Sequence, residues 1–169
     1  RMADRPAIGS ILQDAEVMYA WEHAFSDDEV TDWMEQNLMR YDRDGYSYWA
    51  VMEKSTGDLV GLCGLLAEKA GEESDLGSIF GKKYWHRGYA QESASACVDY
   101  AFRTLGAGHV TAQIRPNNLP SVKVAERLGM TVRSQFLKRY RGKDMIHLIY
   151  YLEKQDKKAG NSYDQKDLH

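Results

Sequence analysis

The chain has 169 residues, a net charge of −3, 43% hydrophobic and 28% charged residues. That is the length and composition of one soluble globular domain, and the acidic balance speaks against a broad electrostatic surface for nucleic acid. No apolar run approaches the ~20 residues of a membrane span, and no signal-peptide pattern is present, so no membrane partner and a cytoplasmic setting are expected.

Cys63 and Cys97 are far apart in sequence and lie in apolar surroundings. No CxxC or Cys/His spacing accompanies them, so both are expected in the core and no metal is expected.

Residues 4–13 can form a short helix. "SDDE" at 26–29 has the form of a capping box, with Ser26 as cap and Glu29 reaching back. Val30, Trp33, Met34, Asn37, Leu38 and Tyr41 then recur at helical spacing with one polar member, and Asp44-Gly45 ends the run. "YSYWAVMEK" (46–54) reads as a strand apolar on both faces. "STGD" is a turn and "LVGLCGLLAE" a second strand, giving a hairpin. A charged loop at 68–74 precedes a third strand, "DLGSIFG".

The stretch "YWHRGYAQE" (84–92) leads from this strand into a helix that has no Ser, Thr, Asp or Asn cap. Ala90, Ala94, Cys97, Val98, Ala101, Phe102 and Leu105 form the apolar face of that helix, and Gly106 stands at its end. "HVTAQIR" alternates as a strand. "NNLPSVKVAERLG" is a short helix with Asn118 as cap, Pro120 in the first turn and Gly129 as stop. "MTVRSQFLKRY", a turn near "RGKD" and "MIHLIYYLE" complete a second hairpin. The order predicts an α/β fold with a mixed, mostly antiparallel sheet flanked by helices.

An uncapped helix start leaves about four N–H groups open, and Gly88 lets a ligand approach the backbone. Anions suit such a place, because the N–H groups and the helix dipole act together. His86 and Arg87 add basic side chains. The plainer reading of the same stretch is a strand-to-helix turn open to water.

The window Trp85-His86-Arg87-Gly88-Tyr89-Ala90 resembles the diagnostic turn of the GNAT acyltransferase superfamily, Arg/Gln-x-x-Gly-x-Gly/Ala. Trp85 departs from the usual Arg or Gln. That departure, within "YWHRGYAQESA", is similar to the branch of ribosomal-protein N-terminal acetyltransferases. The N-x-x-S motif of that branch has its counterpart in Asn118-Leu119-Pro120-Ser121, followed by Leu128-Gly129-Met130. The resemblance runs from about residue 4 to residue 153, within a domain expected over 1–154. Residues 155–169 read as a polar tail.

The resemblance implies a sheet whose central strands splay to admit acetyl-CoA as co-substrate. The pantetheine arm would pair with the strand edge at Ile79 and Phe80. The pyrophosphate would sit on the backbone of His86, Arg87, Gly88, Tyr89, Ala90 and Gln91. Asn118 and Ser121 would face the thioester, although Asn118 also reads as a plain N-cap.

The implied reaction is direct acetyl transfer to a primary amine, which needs a base, oxyanion donors and an acid. Backbone N–H groups near Phe80 would serve the oxyanion. The tyrosine acid of many members is replaced by Ala125, and the branch points to Ser121 instead. Asp75 stands where the family often has a glutamate base, and Ser78 replaces a tyrosine. Glu22 and His23 are further candidates for the base, each more readily read as a surface residue. Tyr19, Trp21, Phe25 and Trp33 could cover the acceptor or simply pack.

The acceptor is read as a protein N-terminus or a small amine, and the protein as a monomer or homodimer. The competing reading is a non-catalytic acyl-CoA-binding sensor or interaction module. The family's opening strand has no counterpart ahead of "RMADRPAIGSIL", and since position 1 is not Met that strand is expected to be missing from the sequence.

Overall fold

The computed structural model describes residues 1–67 and 74–155. Helix α1 (Arg5–Leu12) follows a 3-10 turn at Met2–Asp4 and accepts proline in its first turn, where an N–H would have no partner. Ile8, Ile11 and Leu12 are its buried side chains. Helix α2 (Asp27–Asp44) begins at the expected capping box: Glu29 N–H donates to Ser26 Oγ and Ser26 N–H donates to Glu29 Oε1, each at 3.2 Å. It stops at Gly45, whose φ of 83° lies in the left-handed region.

The polar member of the α2 stripe, Asn37, is buried for a reason. Its Nδ2 donates to Trp33 O at 2.8 Å, and its Oδ1 accepts from Ser47 Oγ and from Tyr48 N–H. A helix amide thereby fixes the start of the first strand, and no buried donor of the pair is left open.

The strands are β1 (Tyr48–Met52), β2 (Leu59–Ala67), β3 (Ser74–Phe80), β4 (His109–Ile114), β5 (Thr131–Tyr140) and β6 (Lys143–Glu153). Helix α3 (Tyr89–Arg103) joins β3 to β4, and α4 (Leu119–Arg127) joins β4 to β5. The six strands lie in the order β1-β2-β3-β4-β6-β5, and only β3 and β4 run parallel. The fold is therefore the expected single α/β domain with a mixed, mostly antiparallel sheet.

β1 is shorter than the 46–54 stretch suggests and is not buried on both faces. It is an edge strand among the described residues, and Met52 is 48% exposed. The charged loop and the polar tail, apart from Ser74 and Gln155, lie outside the described residues.

Each face of the sheet carries a core. On one, Cys63, Leu65, Val110, Ala112, Ile114 and Tyr150 pack against Ala94, Cys97, Val98 and Ala101 of α3 and Ala125 of α4. On the other, Leu62 and Ile79 pack against Ile8, Leu12, Met18, Val30 and Met34. Both cysteines are buried and free, with their Sγ atoms 3.7 Å apart.

The sheet opens at its centre. β3 and β4 pair only at Ser74↔Val110 and Asp75↔Thr111. Beyond those two positions β3 stays paired with β2 up to Phe80, and β4 stays paired with β6 to Ile114. Helices α3 and α4 and the segment around Met18–Trp21 flank the resulting gap.

Two glycines shape the second face beside that gap. Tyr48 lies opposite Gly64, which is itself opposite Gly77. A Cβ at Gly77 would overlap the Tyr48 hydroxyl, and one at Gly64 would overlap the Ser47 carbonyl and Tyr48 Cα. Glycine inside a strand here marks the close approach of a ring and of a backbone. Gly64→Ala meets backbone that cannot swing aside, so it should destabilise the domain by about 1–3 kcal/mol. Thermal unfolding of the variant against the parent checks this; an unchanged midpoint would contradict the packing described.

Candidate active site

A cavity of about 290 Å³ occupies the gap between β3 and β4 and is lined from both faces of the sheet. Leu76, Ser78, Ala94, Ser121, Val124, Ala125 and Met130 line it toward α3 and α4. Tyr48, Asp75, Gly77, Arg115, Lys138 and His147 line it toward the α1/α2 side, with Ala20 and Trp21 above them. The splay thus makes a passage through the sheet, with different chemistry at its two mouths.

Backbone polarity along β3 follows from one bond. Gly81 N–H donates to Val60 O at 3.1 Å, so the alternate residues Leu76, Ser78 and Phe80 turn their peptide groups away from β2 and toward the gap. Phe80 is thereby on the open edge. Ile79 is not: its backbone faces β2 and its side chain is in the α1/α2 core.

The turn into α3 has the geometry that an uncapped start requires. Gly88 is the N-cap at φ 83°, and no side chain caps the helix. The first intrahelical bond runs from Glu92 N–H to Gly88 O, leaving the N–H groups of Gly88, Tyr89, Ala90 and Gln91 ahead of it. His86 also has positive φ, at 63°, an uncommon conformation for a side chain-bearing residue. His86, Arg87 and Gly88 are exposed. Gln91 Oε1 is buried without a partner among the described residues.

Trp85 explains how the turn holds its place without the usual Arg or Gln. Its Nε1 donates to Phe80 O at 2.9 Å, tying the turn to the end of β3. Tyr89 donates its hydroxyl to Glu53 at 2.6 Å, which anchors the first helical turn to the β1–β2 hairpin.

Across the cavity, Asn118 caps α4 as expected: its Oδ1 accepts from Ser121 N–H at 3.5 Å. The same oxygen accepts from the Tyr19 hydroxyl at 2.8 Å. Two donors on one oxygen fix the amide orientation and leave Nδ2 as the outward donor. Ser121 and Asn118 both line the cavity, as does Asp75. Thr111 Oγ1 donates to Asp75 Oδ1 at 3.2 Å. Burial, and after it the Asp75 carboxylate, push the Tyr48 phenol above its ordinary range.

Glu22 and His23 are engaged elsewhere and do not line the cavity. Arg115 Nη1 donates to Glu22 at 2.7 Å, and this bond holds the Glu22 carboxyl below its usual range. His23 lies 2.7 Å from Glu29 Oε2 and 3.1 Å from both Trp21 O and the Tyr140 hydroxyl. Together they clamp the 18–23 segment to β4 and to the β5–β6 hairpin. Of the four aromatics near this segment, Phe25 and Trp33 pack against the α1/α2 core, whereas Tyr19 and Trp21 are exposed and Trp21 lines the cavity.

Tyr48, Arg115, Lys138 and His147 were not singled out from the sequence. The mid-strand glycines Gly64 and Gly77 were the available signal for Tyr48. The other three become neighbours only when β4, β5 and β6 pair. Among the described residues, no three His, Cys, Asp or Glu side chains gather as a metal would require.

The family model described as an acetyltransferase (GNAT) domain matches residues 1–131. The uncharacterized protein YkkB of Bacillus subtilis (strain 168) is 32% identical over 124 residues, 72% of each chain. The ribosomal-protein-S5-alanine acetyltransferase of Vibrio fischeri has the same fold, with TM-score 0.76 at 16% identity, covering 92% of this chain and 91% of that one. So does the spermidine N-acetyltransferase of Vibrio cholerae, solved in complex with CoA and spermine, with TM-score 0.75 at 16% identity, covering 90% and 91%.

The α3 turn should bind anions through its backbone. Inorganic pyrophosphate at ten times its dissociation constant should raise the unfolding midpoint by about 3–6 °C, the equivalent of ~1.4 kcal/mol. Gly88→Val should lose that shift. A midpoint that does not respond to pyrophosphate in the parent would count against the anion site.

Proposed function

Because the chain belongs to the GNAT acetyltransferase family, we propose that it transfers an acetyl group from acetyl-CoA to a primary amine by direct attack across the split in its sheet. The observation that carries this reading is the passage itself: Ser121 and Asp75 line one cavity, from opposite sides of an opening that the β3–β4 pairing leaves.

Acetyl-CoA would supply the activated acetyl group from the α3/α4 side. The N–H groups at 86–91 would hold its pyrophosphate. The carbonyl of Ser78 and the N–H of Phe80 would pair with the pantetheine arm, and Asn118 Nδ2 would donate toward the thioester end. The amine would enter from the α1/α2 side, past Trp21 and Tyr48.

The C–N bond forms as the C–S bond breaks. The ammonium nitrogen gives up two protons in all. One leaves through Asp75, with Thr111 orienting the carboxylate. The other ends on the thiol, with Ser121 donating to the departing sulfur at the N-terminus of α4, where the helix dipole favours negative charge. The backbone N–H of Ser78, on the open edge of β3 beside the cavity, donates to the charge that develops on the acyl oxygen.

Tyr48 has a supporting part here. Its ring covers Gly77, its backbone passes Gly64, and its phenol feels the Asp75 carboxylate, so it forms the wall of the cavity on that side.

Two variants test the assignment. Ser121→Ala keeps the helix and should lower single-turnover acetyl transfer by ~10²-fold, with little change in acetyl-CoA affinity by calorimetry. If affinity falls and bound turnover holds, the hydroxyl binds rather than donates. Asp75→Asn should depress turnover at near-normal affinity and remove the acid limb of the pH–rate profile; a parental profile would assign the base elsewhere.

A further inference from the structure

Three side chains on the acceptor side of the passage have no part in the transfer just described: Arg115, Lys138 and His147. Lys138 and His147 come from β5 and β6, and Arg115 directly follows β4. Ile114 pairs with Leu148, which brings Arg115 beside His147 at the next position, and His147 pairs with Phe136 two residues before Lys138. The His147 and Phe136 rings stack at 5.2 Å, fixing that corner of the wall.

The charges at this mouth are held apart rather than paired across it. Arg115 is committed to Glu22 and to Ala20 O. Lys138 forms no ion pair within 4.0 Å among the described residues, and is exposed where it borders the cavity. Burial, followed by the charges of Lys138 and Arg115, lowers the affinity of His147 for a proton. Asp75 is the one carboxylate that lines the cavity among the described residues.

These cations are poorly placed to serve the cofactor's phosphates. The α3 N-terminus belongs to the other face of the sheet, with Tyr84, Tyr89 and Ala90 in the α3/α4 core. Lys138 also disfavours a polycation, whose second positive group would meet it while the first contacts Asp75. What matches the wall is one positive and one negative group on the same small molecule.

We propose that the acceptor is an amine bearing a free carboxylate, a zwitterion of the amino-acid type, with its ammonium toward Asp75 and its carboxylate toward Lys138 and the Arg115–His147 corner. The inference rests on the acetyl-transfer reading and deepens it. Lys138 is then a specificity residue: it contributes to holding the acceptor and takes no part in moving protons.

The test is a thiol-release assay on the full chain with acetyl-CoA. Each of the twenty amino acids is paired with its α-amide, and spermidine is added as the polycation. The amide keeps the amine, removes the carboxylate and mimics a peptide N-terminus. At least one amino acid should exceed its amide by tenfold or more in kcat/KM. Lys138→Ala should shrink that ratio by raising KM for the acid alone while kcat holds, and Lys138→Arg should restore it.

Equal or better turnover of the amides, or of spermidine, would overturn the zwitterion proposal and leave acetyl transfer standing. Direct titration separates the remaining case. If CoA-loaded protein binds the amino acids over their amides but no amine is acetylated, the acceptor site is right and the transferase reading is wrong. If neither turnover nor titration distinguishes acid from amide, the proposal fails.

Discussion

The organisation of this domain depends on where its two parallel strands stop touching. Ser74↔Val110 and Asp75↔Thr111 are the whole of the β3–β4 pairing. Had the ladder continued, the peptide groups of Ser78 and the N–H of Phe80 would be spent within the sheet and no passage would exist. Parallel ladders are normally covered and continuous. Here the continuity is supplied from outside: β2 holds β3 up to Phe80, and β6 holds β4 to Ile114. Each half of the sheet is well bonded on its outer side, so the split costs only the bonds at the seam. Those unpaired groups are what a strand-like ligand arm can satisfy.

The seam also sorts the chemistry. Residues alternate across a strand, so a gap between strands exposes both faces to one space. Asp75 comes from the α1/α2 face of β3, whereas Ser121 comes from α4 on the other. The N-terminal segment closes the first face through polar clamps, Glu22 to Arg115 and His23 to Glu29 and Tyr140. It reaches the second through the Tyr19 hydroxyl, which donates to Asn118, and through Glu16, which pairs with Lys82 in the turn before α3. The Tyr19 contact joins the N-terminal cover to the residue that caps α4. The α4 cap, the Asn118 amide orientation and the position of the cover are therefore one linked arrangement.

Local chemistry carried most of the fold into the sequence. The capping box at Ser26, the glycine stops at 45, 106 and 129, and the two hairpins are consequences of near-neighbour rules, and they appear where those rules put them. The α3 start was legible because an uncapped helix after a glycine turn is conspicuous. The 46–54 stretch overstates β1, because a run apolar on both faces does not by itself tell an edge strand from a central one. Ile79 and Phe80 were indistinguishable in sequence, since which of them faces the gap depends on the phase of pairing with β2. The Arg115–Lys138–His147 wall was not legible at all. Its members lie on β5, on β6 and directly after β4, and only the β4–β6–β5 register gathers them. Trp85, a departure from the family turn, acquired its reason only from the bond to Phe80 O.

The account is tested most directly by amide hydrogen exchange of the full chain with and without acetyl-CoA. Unpaired peptide groups at a seam exchange quickly until something bonds to them. Saturating acetyl-CoA should protect peptides covering residues 76–80 and 86–91, while β1 and the β5–β6 hairpin change little. Protection confined to other segments, or none at the seam despite saturation, would contradict a cofactor seated in the split.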